Sequence, residues 1–131
     1  MKDIVFNYTG HRELWDEIIR LLKEKNTNIT SAANAKHFAA KNLNISDHDI
    51  PNGYCYACEY DEKINMYKGF VDNDCKNCPL IWPQNSECTL ESDMGVYDLF
   101  RNAIEAKNIA QAIEYAIIIR DCKVKDNIKY K

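Results

Sequence analysis

The chain has 131 residues, of which 46% are hydrophobic and 28% are charged, and its formal net charge is −3. These values are typical of one globular domain and argue against a mainly disordered chain. No apolar run reaches the roughly 18 residues of a membrane span. The first residues include Asp3 and lack an apolar segment, so they do not read as a secretory signal peptide. We therefore expect a single domain over residues 1–131 with a cytoplasmic location.

The first predicted helix covers residues 11–25, HRELWDEIIRLLKEK. Leu14, Ile18 and Leu22 recur every four residues, which is the spacing of one face of an α-helix. Thr9 is the expected N-cap, because a hydroxyl there can accept a hydrogen bond from an unpaired backbone N–H.

A second helix is predicted over residues 31–43, which are rich in alanine and contain no proline or glycine. Thr30 or Ser31 can cap its start. Its small side chains suit close packing on the first helix, so residues 11–43 are expected to form an N-terminal helical pair.

The central segment, residues 44–95, is predicted to be an irregular insert with little β-structure. It holds all three prolines and three of the four glycines. Short hairpins are expected, above all around residues 65–71 (NMYKGFV), where aromatic and β-branched side chains gather. A loop of this length needs something to hold it in a compact domain.

Two further helices are predicted at residues 96–106 and 108–124, giving a C-terminal helical pair over residues 96–124. The triplet Ile117–Ile119 indicates burial on more than one side or a partner surface. Residues 125–131 are expected to fray. The predicted fold class is thus mainly α, a small helical domain with a central irregular insert. Five cysteines lie in that insert, and we expect it to be tied by zinc.

Charge is distributed unevenly along the chain. Residues 44–98 carry three lysines against eleven acids, a net charge of −8, whereas the flanking segments are slightly basic. Such a block attracts basic protein surfaces and repels a phosphate backbone. It therefore predicts a protein partner with a basic surface and argues against nucleic acid.

The cysteines of this segment predict a structural zinc site. Cys55 and Cys58 form one C-x-x-C pair, Cys75 and Cys78 form another, and sixteen residues separate the pairs. Two such pairs at this separation are a zinc signature, and their four thiolates complete a tetrahedron with no open position. Zinc would then contribute to the folding of the insert.

Other ligand sets remain open. Cys88 can replace Cys55, and His48 is close enough in sequence to serve. Iron in a rubredoxin-like site, disulfides, redox chemistry and free thiols are further alternatives. Cys122 lies among apolar residues of the last helix, so we interpret it as a small buried side chain.

Two enzyme motifs are present only in part. Residues 11–13 (HRE) match half of a zinc-deaminase signature, but Tyr54 stands where its second half requires proline. Residues 47–51 (DHDIP) are similar to the opening motif of HNH-type nucleases. In those nucleases one cysteine pair precedes the motif and a second histidine follows the last pair. Here both cysteine pairs follow the motif, and no histidine comes after them. No nucleotide-binding loop or nucleophile elbow occurs. We predict a non-enzymatic protein with no catalytic residues.

The segments HRELWDEI, CYACEYDE, CKNCPLIWP and GVYDLFRNA, with Cys88 before the last, resemble a group of small, mostly uncharacterised proteins. This group comes from bacteriophages and mobile elements of low-GC bacteria, and the likeness covers roughly residues 11–106. It implies an intracellular, phage-associated zinc protein with no particular activity. The candidate ligands that it implies are Cys55, Cys58, Cys75, Cys78 and Cys88.

The predicted function is that of a zinc-stabilised protein that binds a host or viral protein through its acidic surface and inhibits or redirects it. One alternative is a sponge for a small molecule or nucleotide. Another is a degenerate nuclease or nucleic-acid adaptor. The sequence leaves the partner and the oligomeric state open.

Overall fold

A computed structural model describes residues 4–25, 28–45, 55–68 (backbone only for 65–68), 78–83 and 95–131. This part of the chain contains five helices and one two-stranded sheet, which confirms the expected mainly α-helical class. The elements in chain order are α1 (Tyr8–Lys23), α2 (Ala32–Asn42), α3 (Tyr56–Lys68), β1 (Leu80–Ile81), α4 (Val96–Glu105), α5 (Ile109–Asp121) and β2 (Lys123–Val124).

The N-terminal helical pair is confirmed, with one change at its start. Helix α1 is capped by Asn7, whose side-chain oxygen accepts a hydrogen bond from the Gly10 N–H at 2.9 Å. Thr9 lies inside the helix, so its prediction as the cap is wrong. Helix α2 begins after Ser31 as expected, and the Ser31 hydroxyl accepts from the Asn34 N–H at 3.1 Å.

Helix α3 was not predicted, and it corrects the interpretation of the central insert as wholly irregular. Residues 65–68, expected in a hairpin, form its last turn. Tyr56, Ala57 and Tyr60 are buried at helical spacing. Asp61 is buried beside them, and its charge interrupts the apolar pattern that would otherwise reveal the helix.

The four terminal helices form one packed unit. Helix α1 packs on α2 and α5, and α5 also packs on α4. The rings of Trp15 and Phe100 meet edge to face, 5.1 Å apart at 78°, and join α1 to α4. Aromatic pairs of this geometry add to the free energy gained by burial alone. The expectation that helices from both ends of the chain pack together is therefore confirmed.

The small sheet joins the insert to the C-terminal segment. Strand β1 pairs with β2 in antiparallel orientation, with Leu80 opposite Val124. Next to this pair, the Pro79 carbonyl accepts a hydrogen bond from the Lys125 N–H at 2.8 Å.

The C-terminal residues are held by backbone hydrogen bonds and not frayed as predicted. The Phe6 N–H donates to the Lys129 carbonyl at 2.9 Å, and the Phe6 carbonyl accepts from the Lys131 N–H at 3.1 Å. The Thr9 N–H donates to the Lys131 carbonyl at 2.8 Å, which also satisfies a donor at the start of α1. We call this arrangement, formed by Phe6, Thr9, Lys129 and Lys131, the terminal clamp.

Candidate metal centre

The first cysteine pair lies at the start of α3. Cys55 comes directly before the helix and Cys58 lies in its first turn. The Cys55 sulfur accepts a hydrogen bond from the Cys58 N–H at 3.2 Å. The turn thus brings the two cysteines together at the positive end of a helix, where a thiolate is favoured.

The chemistry of Cys55 suits a metal ligand. The pKa of the Cys55 thiol is lowered to about 7, above all by hydrogen bonding with the Cys58 side chain and also by backbone N–H groups, against the effect of burial. Because a cysteine binds zinc as the thiolate, a lowered pKa favours metal binding at neutral pH. Cys55 and Cys58 therefore fit the predicted role of one half of a zinc site.

Lys36 influences the chemistry of the cysteine pair, which the sequence analysis did not predict. It lies on α2, its side chain is buried, and its ammonium group is 4.6 Å from the centre of the Tyr97 ring. Its positive charge lowers the pKa of Cys55. A lysine in an alanine-rich helix gives no local signal of this role, because its interaction with Cys55 arises only in the folded chain.

The start of α3 is anchored on the helical core. A Cβ built on Gly10 would lie 2.7 Å from Cζ of Tyr56, so the two residues are in close contact. The ring of Tyr60 meets the ring of Phe6 edge to face at 6.1 Å. The cysteine pair is thereby positioned by the same residues that organise the start of α1.

Cys78 lies elsewhere along the insert, buried just before β1. The pKa of the Cys122 thiol is raised to about 12, first by burial and then by electrostatic interaction with Cys78 and Asp121. The Cys122 thiol donates to the Ile118 carbonyl at 3.2 Å. The predicted burial of Cys122 is confirmed.

Three of the predicted candidates, Cys75, Cys88 and His48, lie outside the described residues. Among the residues that the structure does describe, no three His, Cys, Asp or Glu side chains form a group that could hold a metal ion. The described part therefore supplies the pair Cys55 and Cys58, and the four-cysteine site with Cys75 and Cys78 stays a prediction.

The described histidines have structural or surface positions. His11 is 3% exposed and its Nε2–H donates to the Ile119 carbonyl at 2.9 Å, which joins α1 to α5. Burial, as the largest effect, lowers its pKa to about 4. His37 is exposed on α2.

The acids of the central segment divide into internal and external groups. Asp61 and Asp98 are buried, and Asp98 accepts from the Gly95 N–H at 3.3 Å at the start of α4. Glu59 pairs with Lys63 at 2.7 Å. Seven of the eleven acids lie outside the described residues. Two of the predicted surface acids thus have internal positions.

The fold and the cysteine pair define a small, mainly helical domain with a candidate metal-binding turn at the start of α3. Comparisons with family models, with curated proteins and with solved structures return no match for this chain. Within the described segments, every helix is too short or too polar to cross a bilayer.

Proposed function

We propose that this chain is a non-enzymatic, zinc-stabilised protein of the phage type that binds a host or viral protein and inhibits or redirects it. Cys55, Cys58, Cys75 and Cys78 would hold the ion. Bound zinc would supply a cross-link between the two halves of the insert, as structural zinc does in small domains. The lowered pKa of Cys55 and its hydrogen bond from Cys58 support this assignment.

The observation that carries a binding role is an exposed aliphatic patch formed by Ile81 and Ile118. These side chains are 48% and 38% exposed, and both line a shallow depression of about 500 Å³ with Trp82. Exposed aliphatic groups set in a polar surround are typical of the centre of a protein interface. We call this surface the isoleucine patch.

The charge of the segment that carries Ile81 points to the chemistry of the partner. Ile81 belongs to the segment 44–98 with its net charge of −8, whereas the depression itself is lined by one acid, Asp121, and one base, Lys123. The acidic segment suits a partner with a basic surface, and the two isoleucines suit apolar side chains on that surface.

Affinity capture from a host lysate, with the captured protein identified and then purified, tests this role. Ile81→Asp and Ile118→Asp are expected to abolish binding of the purified partner, whereas Val5→Asp, at a side chain 41% exposed elsewhere, should retain it. Added salt should weaken the association, because exposed charges are screened. Binding that survives both isoleucine variants would refute the assignment of this surface.

A further inference from the structure

A second surface lies where α1 and α4 end and α5 begins. It is a groove of about 670 Å³, within the range of small-molecule sites. Its apolar walls are all aliphatic: Leu22, Ile29, Ile104, Ile109, Ala110 and Ile113. We call it the lysine-rimmed groove, for the charged residues described below.

The groove has a floor of buried side chains and walls of partly exposed aliphatic side chains. Leu22 and Ile104 are fully packed in the core, whereas Ile109 and Ile113 are only partly buried and Ala110 is exposed. Burying the remaining apolar area of the isoleucines would yield free energy in proportion to that area. Among the described residues no aromatic ring lines the groove, so they offer no stacking surface for a nucleotide base.

The rim is basic although the chain as a whole is acidic. Of the charged residues that the structure describes, Lys23, Lys25 and Lys107 line the groove together with one acid, Glu105. Within the described part of the chain, none of these three ammonium groups forms an ion pair. The rim therefore has a net charge of +2 without internal carboxylate partners.

Two of these lysines occupy matching positions that are fixed by the backbone. Lys25 follows α1 and Lys107 follows α4, and both adopt left-handed backbone angles, with φ of 55° and 59°. The Lys25 N–H donates to the Leu22 carbonyl at 3.1 Å, and the Lys107 N–H donates to the Ile104 carbonyl at 3.0 Å. Each lysine is thus tied to a floor residue of the same groove.

From these features we propose that the lysine-rimmed groove binds one free, unbranched aliphatic carboxylate of the fatty-acid class. Its hydrocarbon chain lies along Ile109 and Ile113, and its carboxylate lies among the rim lysines. Aliphatic walls recognise the chain without directional bonds, and unpaired lysines supply the charge that fixes its orientation. This site is separate from the isoleucine patch, so neither assignment depends on the other.

Isothermal titration calorimetry with dodecanoate, below its micelle concentration, tests the ligand class. We expect one molecule bound per chain with a negative heat-capacity change, as apolar burial requires. Dodecanol, which lacks the charge, should bind at least tenfold more weakly, and dodecyltrimethylammonium should not bind. Equal binding of all three would overturn the proposal, as would binding of an acidic amphipathic peptide in place of dodecanoate.

Variants locate the site. Ala110→Trp should fill the groove and abolish dodecanoate binding, whereas Gln111→Trp, at an exposed position on the same helix outside the groove, should retain it. The double variant Lys23→Glu/Lys107→Glu should weaken binding at least tenfold, and Lys41→Glu on the exposed face of α2 should not. Circular dichroism checks that each variant folds. Unchanged binding by Ala110→Trp would overturn the assignment.

Discussion

The ring of Tyr56 occupies the space that a side chain on Gly10 would need. A Cβ at Gly10 would lie 2.7 Å from Tyr56 Cζ and 2.8 Å from Tyr56 Cε1. Alanine normally favours a helix over glycine by about 1 kcal/mol. At this position we expect the opposite sign: Gly10→Ala should lower the free energy of unfolding by about 1–3 kcal/mol, because the buried ring must move. Urea denaturation measures the change.

The matched control is Thr9→Ala, at an exposed position in the same helical turn. In the background of Tyr56→Ala, the Gly10→Ala substitution should destabilise less, since the ring is gone and the Asn7 amide, 2.8 Å from the new Cβ, remains in close contact. A Gly10→Ala protein as stable as the native chain would show that the contact between Gly10 and Tyr56 is not as close as described.

His11 predicts a loss of stability in mild acid. Burial first, and the nearby Arg12 charge to a lesser extent, lower the pKa from 6.5 to about 4, against the opposing effect of the hydrogen bond to Ile119. Between these pH values the unfolded chain binds a proton that the folded chain does not. The free energy of unfolding should therefore fall as the pH drops from about 6.5 to about 4, by roughly 3 kcal/mol from this group.

Urea titrations across that pH range measure the slope. In His11→Gln, whose amide can still donate to the Ile119 carbonyl, the contribution of this group should disappear while those of the carboxylates remain. An identical slope in the native protein and the variant would mean that His11 is not buried in its neutral form.

The zinc assignment predicts one metal ion per chain. Elemental analysis with thiol titration of the native protein should find zinc, and Cys55→Ser should lose it, because the assignment makes that thiolate one of four ligands. Cys122→Ser is the control and should keep the metal, since Cys122 is not one of the proposed ligands and its thiol donates to the Ile118 carbonyl. Metal-free protein that is equally folded, or thiols bridged to one another, would refute the assignment.

Lys36 predicts a measurable change in the reactivity of Cys55. The Lys36 charge is one of the interactions that lower the Cys55 pKa to about 7. Lys36→Met should therefore move the pH midpoint of Cys55 alkylation upward in chelator-treated protein, as read by mass spectrometry of the Cys55 peptide. Lys41→Met, at an exposed position on the same helix, should leave the midpoint in place.

The terminal clamp predicts that the last residues contribute to stability. Phe6 is fully buried, and its N–H and carbonyl both pair with the C-terminal segment. Removal of residues 129–131 should lower the free energy of unfolding and speed hydrogen exchange at the Phe6 amide, because that donor loses its partner. Val5→Ala, a matched change at an exposed neighbour, should affect neither. Unaltered exchange at Phe6 after the truncation would refute the clamp.

The sequence predicted the four terminal helices because their apolar residues recur at helical spacing. It missed α3, since Asp61 is buried on the face that should have been apolar. It also missed the terminal clamp, which consists of backbone hydrogen bonds that leave no side-chain pattern.

The candidate site was predicted only as cysteine spacing. The two-residue gap between Cys55 and Cys58 predicted that the two cysteines lie close together, and the structure confirms that they are adjacent. The influence of Lys36 on Cys55 depends on the folded arrangement of the chain, and the lysine-rimmed groove depends on residues 22–30 and 104–113, which are far apart in sequence. Local periodicity carries no information about either.

The two tryptophans of the chain occupy different parts of the molecule. Trp15 packs on Phe100 within the helical core, whereas Trp82 follows β1 at the edge of the isoleucine patch. Substitution can therefore separate the fluorescence of the two tryptophans. In Trp82→Phe the remaining emission comes from Trp15 and reports on the helical core. In Trp15→Phe it comes from Trp82 and reports on the insert. Metal loading and partner docking then become optical signals that can be read apart from global unfolding.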